Sequence, residues 1–374
     1  MLSSLFIRNY KNIPFLEIPT LKRVNLFWGR NNVGKSTLLE ALSIYASNGD
    51  IKQLYELLKL RGEDLHAFKN KNSITVDDEI NAFLPLAYNY DKSVFDGGNG
   101  IQIGENQKNL IKIRLVRIST FFQIQNGKKQ IRRKVSDLGA VPIENTINSS
   151  IALQVSNEHA GFEYNIALNG QGIKDDNFFE KESVPVNIPF HYISCKGSPQ
   201  LDLDQLWSTI SMSEDEESVV NALRIIEPDI ERFNILSSDS DDDNKRIPFV
   251  RLKGMDKLVR LSSMGDGINR MLYIILALIN CKGGIFLLDE FENGLHYSVQ
   301  EQLWTIIFRL AAHLNIQVFV TTHSNDCINS YAKVATEENA LAIRMDHSAG
   351  RLSVQQYEHL QDLLFAIKND IELR

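Results

Sequence analysis

The chain has 374 residues, 43% of them hydrophobic and 23% charged, with a net charge of −7. This is the balance of a soluble globular protein with one large or two ordinary domains, and the acidic total confines any nucleic-acid contact to a local basic patch. No apolar run reaches the length of a membrane span, residues 1–8 lack a signal-peptide pattern, and Cys195, Cys281 and Cys327 match no zinc spacing, so a cytoplasmic location with reduced cysteines is expected.

In chain order, residues 5–10 alternate as a strand, Asn9-Tyr10-Lys11-Asn12 turns, and residues 15–18 form a second strand. Val24-Asn25-Leu26-Phe27-Trp28 has the make-up of a buried strand. Gly29-Arg30-Asn31-Asn32-Val33-Gly34-Lys35-Ser36 follows, and then a helix to about Ala46, closed by Asn48-Gly49-Asp50. Residues 51–60 are helical in pattern, and residues 91–104 read as a loop rich in Gly, Asn and Asp. Residues 111–125 alternate, Asn126-Gly127 is a hairpin turn, and residues 131–135 return. Residues 151–156 and 162–168 pair around Gly161, and residues 188–194 add a strand to this antiparallel middle section.

From 202 to 236 the pattern is helical. Ser213 and Glu216 have capping-box spacing, Val219, Val220, Leu223, Ile226 and Ile230 share a face, and Pro228 interrupts. Residues 237–244 form an acidic loop. Strands at 247–252 and 258–261 lead to Ser262-Ser263-Met264-Gly265-Asp266-Gly267 and an apolar helix at 268–279. A buried strand at 285–288 ends in Asp289-Glu290, a helix covers 298–313, and a buried strand at 317–322 ends at His323. A hairpin around Gly350 and an amphipathic helix at 357–371 close the chain.

The G-x-x-x-x-G-K-S stretch, lying between strand and helix, is a phosphate-binding loop. Its glycines let successive N–H groups face the phosphates, and the helix N-terminus adds partial positive charge. Gly29, Asn31, Asn32, Val33, Gly34, Lys35, Ser36 and Thr37 are expected to bind nucleotide. Lys35 would reach the outer phosphates and Ser36 would hold Mg²⁺. Asp289, at the end of a buried strand, is expected to fix Mg²⁺ with Ser36, and Glu290 to take a proton from the attacking water or orient it. His323 is either structural or a contact for the γ-phosphate.

This order of phosphate loop, long insertion, Ser-x-Gly segment, Asp-Glu strand and Thr-His strand end resembles the ATPase head of ABC-type proteins of the SMC, RecF and OLD groups, including prokaryotic AAA-family ATPases. The opening Phe6-Ile7-Arg8-Asn9-Tyr10-Lys11-Asn12 resembles their start. The resemblance implies an α/β fold, an ABC-type P-loop head with a mixed central sheet, an antiparallel β lobe and a helical insertion. The boundaries are 1–60 (ATPase core), 61–200 (β lobe), 201–245 (helical insertion with acidic loop), 246–345 (ATPase core) and 346–374 (C-terminal hairpin and helix). It also implies that Ser263 and Gly265 bind the nucleotide of an opposite subunit, although Met264 and Asp266 depart from the usual signature. Asn293-Gly294-Leu295-His296 would lie at that dimer interface. Gln123 is a candidate for the family's glutamine loop or a solvent-facing strand residue.

ATP and Mg²⁺ are therefore the expected cofactors, hydrolysis the expected activity and a sandwiched homodimer the expected assembly. The chain is too short for an SMC coiled coil, and the fifty or so residues after His323-Ser324 are too few for the nuclease of OLD proteins. Compact heads of this kind imply prokaryotic defence with a separately encoded nuclease or toxin as partner. The alternative is a RecF-like repair ATPase that binds DNA directly. Lys128, Lys129, Arg132, Arg133 and Lys134 are either a nucleic-acid contact or a solvated, edge-protecting hairpin without aromatic interleaving. The acidic Glu214, Asp215, Glu216 and Glu217, beside an apolar face, suit a protein partner or mark a helix packed on the lobe.

Overall fold

The computed structural model describes residues 1–63, 75–96, 99–125, 128–138, 140, 143–168, 178–179, 188–195, 203–237, 246–265, 267–348 and 351–368. The Asn126-Gly127 turn, the acidic loop beyond Ser237, Asp266, Gly350 and the end of the last helix fall outside them. The chain divides into two units: Leu2–Thr20 with Glu40–Asn187, and Met1 with Leu21–Leu39 and Ile188–Arg374. The division falls within helix α1 (Lys35–Ala46).

The Leu2–Thr20 and Glu40–Asn187 unit is an antiparallel sheet. Its strands are β1 (Leu5–Tyr10), β2 (Ile13–Ile18), β4 (Ile101–Glu105), β5 (Asn109–Gln125), β6 (Lys128–Asp137), β7 (Thr146–Asn157), β8 (Phe162–Leu168) and β9 (Phe178–Phe179). The order is β2-β1-β4-β5-β7-β8-β9, with β6 paired to β5. Alternation along β5 buries Ile111, Ile113 and Leu115 at period two, as a strand with one core face requires. Helices α2 (Ile51–Leu60), α3 (Val76–Phe83) and α4 (Ser93–Asp96) belong to the same unit. Asp50 caps α2, and Thr75 and Asp78 form a reciprocal capping box on α3. A buried ion cluster ties this unit's two chain segments together. Lys11 Nζ donates to Glu40 at 2.8 Å, and Arg61 reaches the other oxygen of Glu40 at 2.8 Å.

The other unit holds a six-stranded sheet in the order β10-β14-β15-β3-β16-β17. Its strands are β3 (Val24–Trp28), β10 (Phe190–Ile193), β14 (Ile285–Leu288), β15 (Gln317–Thr322), β16 (Ala340–Ser348) and the antiparallel edge β17 (Arg351–Tyr357). The other five strands are parallel, and β3, β14 and β15 are buried at every position. Continuous apolar runs rather than alternation are what such doubly covered strands need. Helices α7 (Ile268–Ile279), α8 (Tyr297–His313) and α9 (Asn325–Val334) share the core, with Phe291 stacked on Trp304 at 4.3 Å. Helices α5 (Leu203–Ile210), α6 (Glu216–Ile226) and α10 (Leu360–Lys368) and a three-stranded sheet of β11 (Ile230–Ser237), β12 (Arg246–Leu252) and β13 (Leu258–Arg260) complete the unit.

Four expectations change. Residues 101–105 are a strand, not a loop, and Gly104 stands where any Cβ would meet Asn109 O at 1.9 Å. Residues 188–194 pair in parallel with β14 and so join the central sheet rather than the antiparallel lobe. Residues 230–236 form a strand, because Pro228 ends the helical run and Phe233 and Ile235 then bury at period two. Ser213 and Glu216 form no capping box: Asp215 occupies the cap position without a side-chain bond, and Glu216 instead accepts from Met212 N.

Candidate functional site

Because β10, β14, β15 and β3 run in parallel, their carboxyl ends meet along one edge, where open α/β sheets gather ligands. Trp28 leads into the Gly29–Ser36 loop, Leu288 into Asp289, Thr322 into His323, and Ile193 towards Cys195.

The loop conformation is set by residues that tolerate positive φ. Gly29 lies at φ 150°, Asn32 at 63° and Gly34 at 104°. A Cβ on Gly29 would stand 2.1 Å from Met345 O of β16, so the position has no room for a side chain. Asn31 and Asn32 are exposed, whereas Val33 is buried and anchors the loop. Leu38 N is the amide that donates back to Gly34 O, which leaves the N–H groups of the preceding turn at an open helix end with no acid in its first turn. Thr37 is buried in that turn.

Lys35 is buried and its Nζ donates to Gly29 O (2.7 Å) and Arg30 O (2.9 Å). Burial lowers its pKa, and the charges of Asp289, Glu290 and Glu292 oppose that shift. Ser36 Oγ donates to Asp289 Oδ1 at 3.1 Å, and Thr321 Oγ1 donates to the same oxygen at 2.5 Å. Asp289 is 1% exposed, and its Oδ2 has no hydrogen-bond partner among the described residues. A buried carboxylate oxygen left in this way beside a serine hydroxyl is the donor set of a hard divalent cation.

Glu290 follows at φ 52°, an unusual backbone for a non-glycine residue, held by its N–H donating to Thr321 Oγ1 at 2.9 Å. Thr321 thus fixes both acids. Glu292 takes two hydrogen bonds from the next strand end, from Thr322 Oγ1 (2.7 Å) and His323 N (2.9 Å), and its carboxylate stands 3.0 Å from His323 Nδ1. His323 is half-exposed at its side chain, with Nδ1 on the Glu292 side of the ring. Cys195 lies at the same edge. Burial, and then the adjacent Asp289, push its thiol up to about 12, and its carbonyl accepts from Asn293 Nδ2 at 3.0 Å.

The structure therefore brings Lys35, Ser36, Asp289, Glu290 and His323 to one edge. No hydrogen bond among the described residues links Ser263 or Gly265 to them. Ser263 is exposed and its hydroxyl donates to Arg260 O, while Gly265, at φ 131°, has nothing within 4 Å of an added Cβ. Gln123 is exposed on β5. Sequence reasoning missed Glu292, Thr321 and Cys195. The dense Asp289-Glu290-Phe291-Glu292 run is a signal for the first; only strand pairing reveals the others.

A family model described as "AAA ATPase domain" matches residues 1–115, and one described as "AAA domain, putative AbiEii toxin, Type IV TA system" matches residues 213–328. An "ATP/GTP phosphatase" of Helicobacter pylori is 25% identical over 370 residues, 91% of this chain and 90% of its own length. A "DNA replication and repair protein RecF" of Cellvibrio japonicus is 24% identical over 36% of this chain and 37% of its own. Among solved structures, an SMC head bound to the C-terminal winged-helix domain of ScpA aligns over 95% of this chain and 97% of its own at 12% identity, with a TM-score of 0.44.

Proposed function

We propose, from the premise that this chain is an ABC-type ATPase of the SMC and RecF group, that it hydrolyses ATP with Mg²⁺ in a nucleotide-sandwiched homodimer and thereby controls a separately encoded effector in antiviral defence. The cation fit rests on the unpartnered Oδ2 of Asp289 beside Ser36 Oγ. When bound there, Mg²⁺ would neutralise charge on the outer phosphate oxygens. Lys35 exchanges its loop carbonyls for those oxygens. Glu290 accepts a proton from the attacking water. His323, its Nδ1 held by Glu292, turns Nε2 to the γ-phosphate.

The carrying observation for a composite site is the exposure of Ser263 and Gly265, just before α7. The first turn of α7 has no acid and its N-cap, Gly267, makes no side-chain cap. A second copy could seat its nucleotide there. A defence setting is in keeping with the matched description, which names a putative toxin of a type IV toxin–antitoxin system. At and just before the start of α6, Glu214, Glu216 and Glu217 rim a cavity of about 880 Å³ with Phe233 and Phe249. Lys substitutions at Glu214 and Glu217 are expected to release a protein partner in a pull-down from the native host, with basal ATP turnover retained. Retention of the partner, or a host pull-down that yields none, would remove the effector role while leaving the ATPase.

A further inference from the structure

We infer that Ser194, one residue beyond β10, is a positioning residue of the divalent-cation site: its hydroxyl holds a water in the shell of the cation that Asp289 fixes. The assignment rests on the reading of this edge as an Mg²⁺–nucleotide site. Ser194 is 7% exposed, and its Oγ has no hydrogen-bond partner. Among the described residues it is the one serine or threonine hydroxyl buried in this way. A buried hydroxyl without a partner is unfavourable. Such a group normally rotates onto a nearby carbonyl, as Ser330 Oγ does onto Cys327 O at 2.9 Å.

The sheet register points this hydroxyl at the site. Ile193 pairs with Leu288, and Leu288 with Val320. The ladder continues one step further, with Asp289 N donating to Ile193 O at 2.9 Å, and Asn293 Nδ2 then donates to Cys195 O at 3.0 Å. Ser194 is thus held between two bonds to the end of β14. One residue on from the paired row, Ser194, Asp289 and Thr321 stand side by side, and in-register neighbours of a parallel sheet share a face. The bond from Thr321 Oγ1 to Asp289 Oδ1 fixes that face, and Ser36 Oγ reaches the same oxygen from α1. Both of those hydroxyls sit on Oδ1. Oδ2 is left without a partner, and so is Ser194 Oγ, on the strand at the other side of Asp289.

Two buried oxygens on neighbouring strands, each without a partner, call for a group that serves both. Adjacent strands lie about 4.8 Å apart, so a hydroxyl one strand away is placed for a contact through water rather than a direct bond to the carboxylate. Mg²⁺ suits such a pair, because it takes one or two protein oxygens directly and keeps several waters. A water on the cation is a strong donor, and the Ser194 oxygen has two lone pairs to accept with. Asp289 is then gripped through Oδ1 by Thr321 and Ser36, while Ser194 orients the water on the Oδ2 side. A buried water without a cation would satisfy the same two atoms, and cation affinity separates the two cases.

The test titrates Mn²⁺, read by electron paramagnetic resonance, into the full chain with a non-hydrolysable ATP analogue, beside urea unfolding without metal or nucleotide. Ser194→Ala should weaken Mn²⁺ about 10- to 100-fold, while affinity for the analogue in EDTA stays within about twofold. The Mg²⁺ concentration for half-maximal ATP turnover should rise in step. The urea midpoint should hold or rise, because alanine removes a buried hydroxyl that has no partner. Asp289→Ala should lose Mn²⁺ altogether and marks the floor of the titration. Unchanged Mn²⁺ affinity in Ser194→Ala, with the ion bound by the wild type, overturns the assignment and leaves the ATPase reading standing. Weaker Mn²⁺ together with a lowered urea midpoint assigns the effect to the fold and also overturns it. No Mn²⁺ binding by the wild type removes both readings.

Discussion

Glu292→Ala separates anchoring of His323 from nucleotide binding. The carboxylate of Glu292 accepts from Thr322 Oγ1 and His323 N at 2.7 and 2.9 Å and lies 3.0 Å from His323 Nδ1, and its side chain is 14% exposed. Hydrogen bonds to a charged acceptor contribute about 1.5 kcal/mol or more each. The ring contact counts for less, because His323 is 49% exposed. The loss is therefore roughly 3 kcal/mol, most of it from the strand end. Lys35 bonds to the loop carbonyls of Gly29 and Arg30 rather than to Glu292, so ATP affinity should stay within about threefold, while kcat falls about 10- to 100-fold as for other supporting residues of a catalytic site. Glu292→Gln keeps an oxygen for the His323 N–H groups and can offer its amide to Thr322, so it should recover most of that loss. Steady-state hydrolysis beside equilibrium binding of a fluorescent nucleotide reads both quantities. Unchanged turnover in Glu292→Ala, or loss of binding as deep as that of Lys35→Ala, would refute the anchoring role.

Lys35→Ala should abolish ATP binding, and Glu290→Gln should bind ATP without turning it over; full turnover by the second removes Glu290 as the base. Glu40→Gln leaves Lys11 buried without its counter-charge and should cost about 3–5 kcal/mol in urea unfolding, against near-neutral effects of an exposed Glu→Gln change. Burial lowers His191 to about 4 from an ordinary 6.5. The unfolded chain then binds more protons between those values, so stability is full above pH 6.5 and falls with acid until about pH 4, by at most roughly 3 kcal/mol. His191→Gln, which can still bond to Tyr273, should flatten that window in an acid-unfolding series; an unaltered slope contradicts it.

Much of the edge that gathers Lys35, Ser36, Asp289, Glu290 and His323 was legible because its signals are local. A glycine loop after the mainly apolar Val24–Trp28, and acids after the apolar Ile285–Leu288, mark both strand ends within about ten residues. What was not legible depends on neighbours in space. The parallel pairing of Phe190–Ile193 with Ile285–Leu288 joins residues 95 apart, and a short apolar run cannot say which sheet it enters. The helical reading of 230–236 failed because Ile230 continues a helical period that Pro228 has already ended. Ser194 and Cys195 reached the site only through that pairing.

The composite site is tested most directly by mixing two inactive proteins. Ser263→Arg is preferable to a change at Gly265, whose φ of 131° would strain any side chain. Ser263→Arg should bind ATP and not hydrolyse it, and Lys35→Ala should do neither. In a mixed dimer, one site joins an intact Lys35 to an intact Ser263 of the other copy. Partial recovery of ATP hydrolysis on mixing is the predicted result. Full activity of Ser263→Arg alone, or no recovery at any mixing ratio, would contradict it.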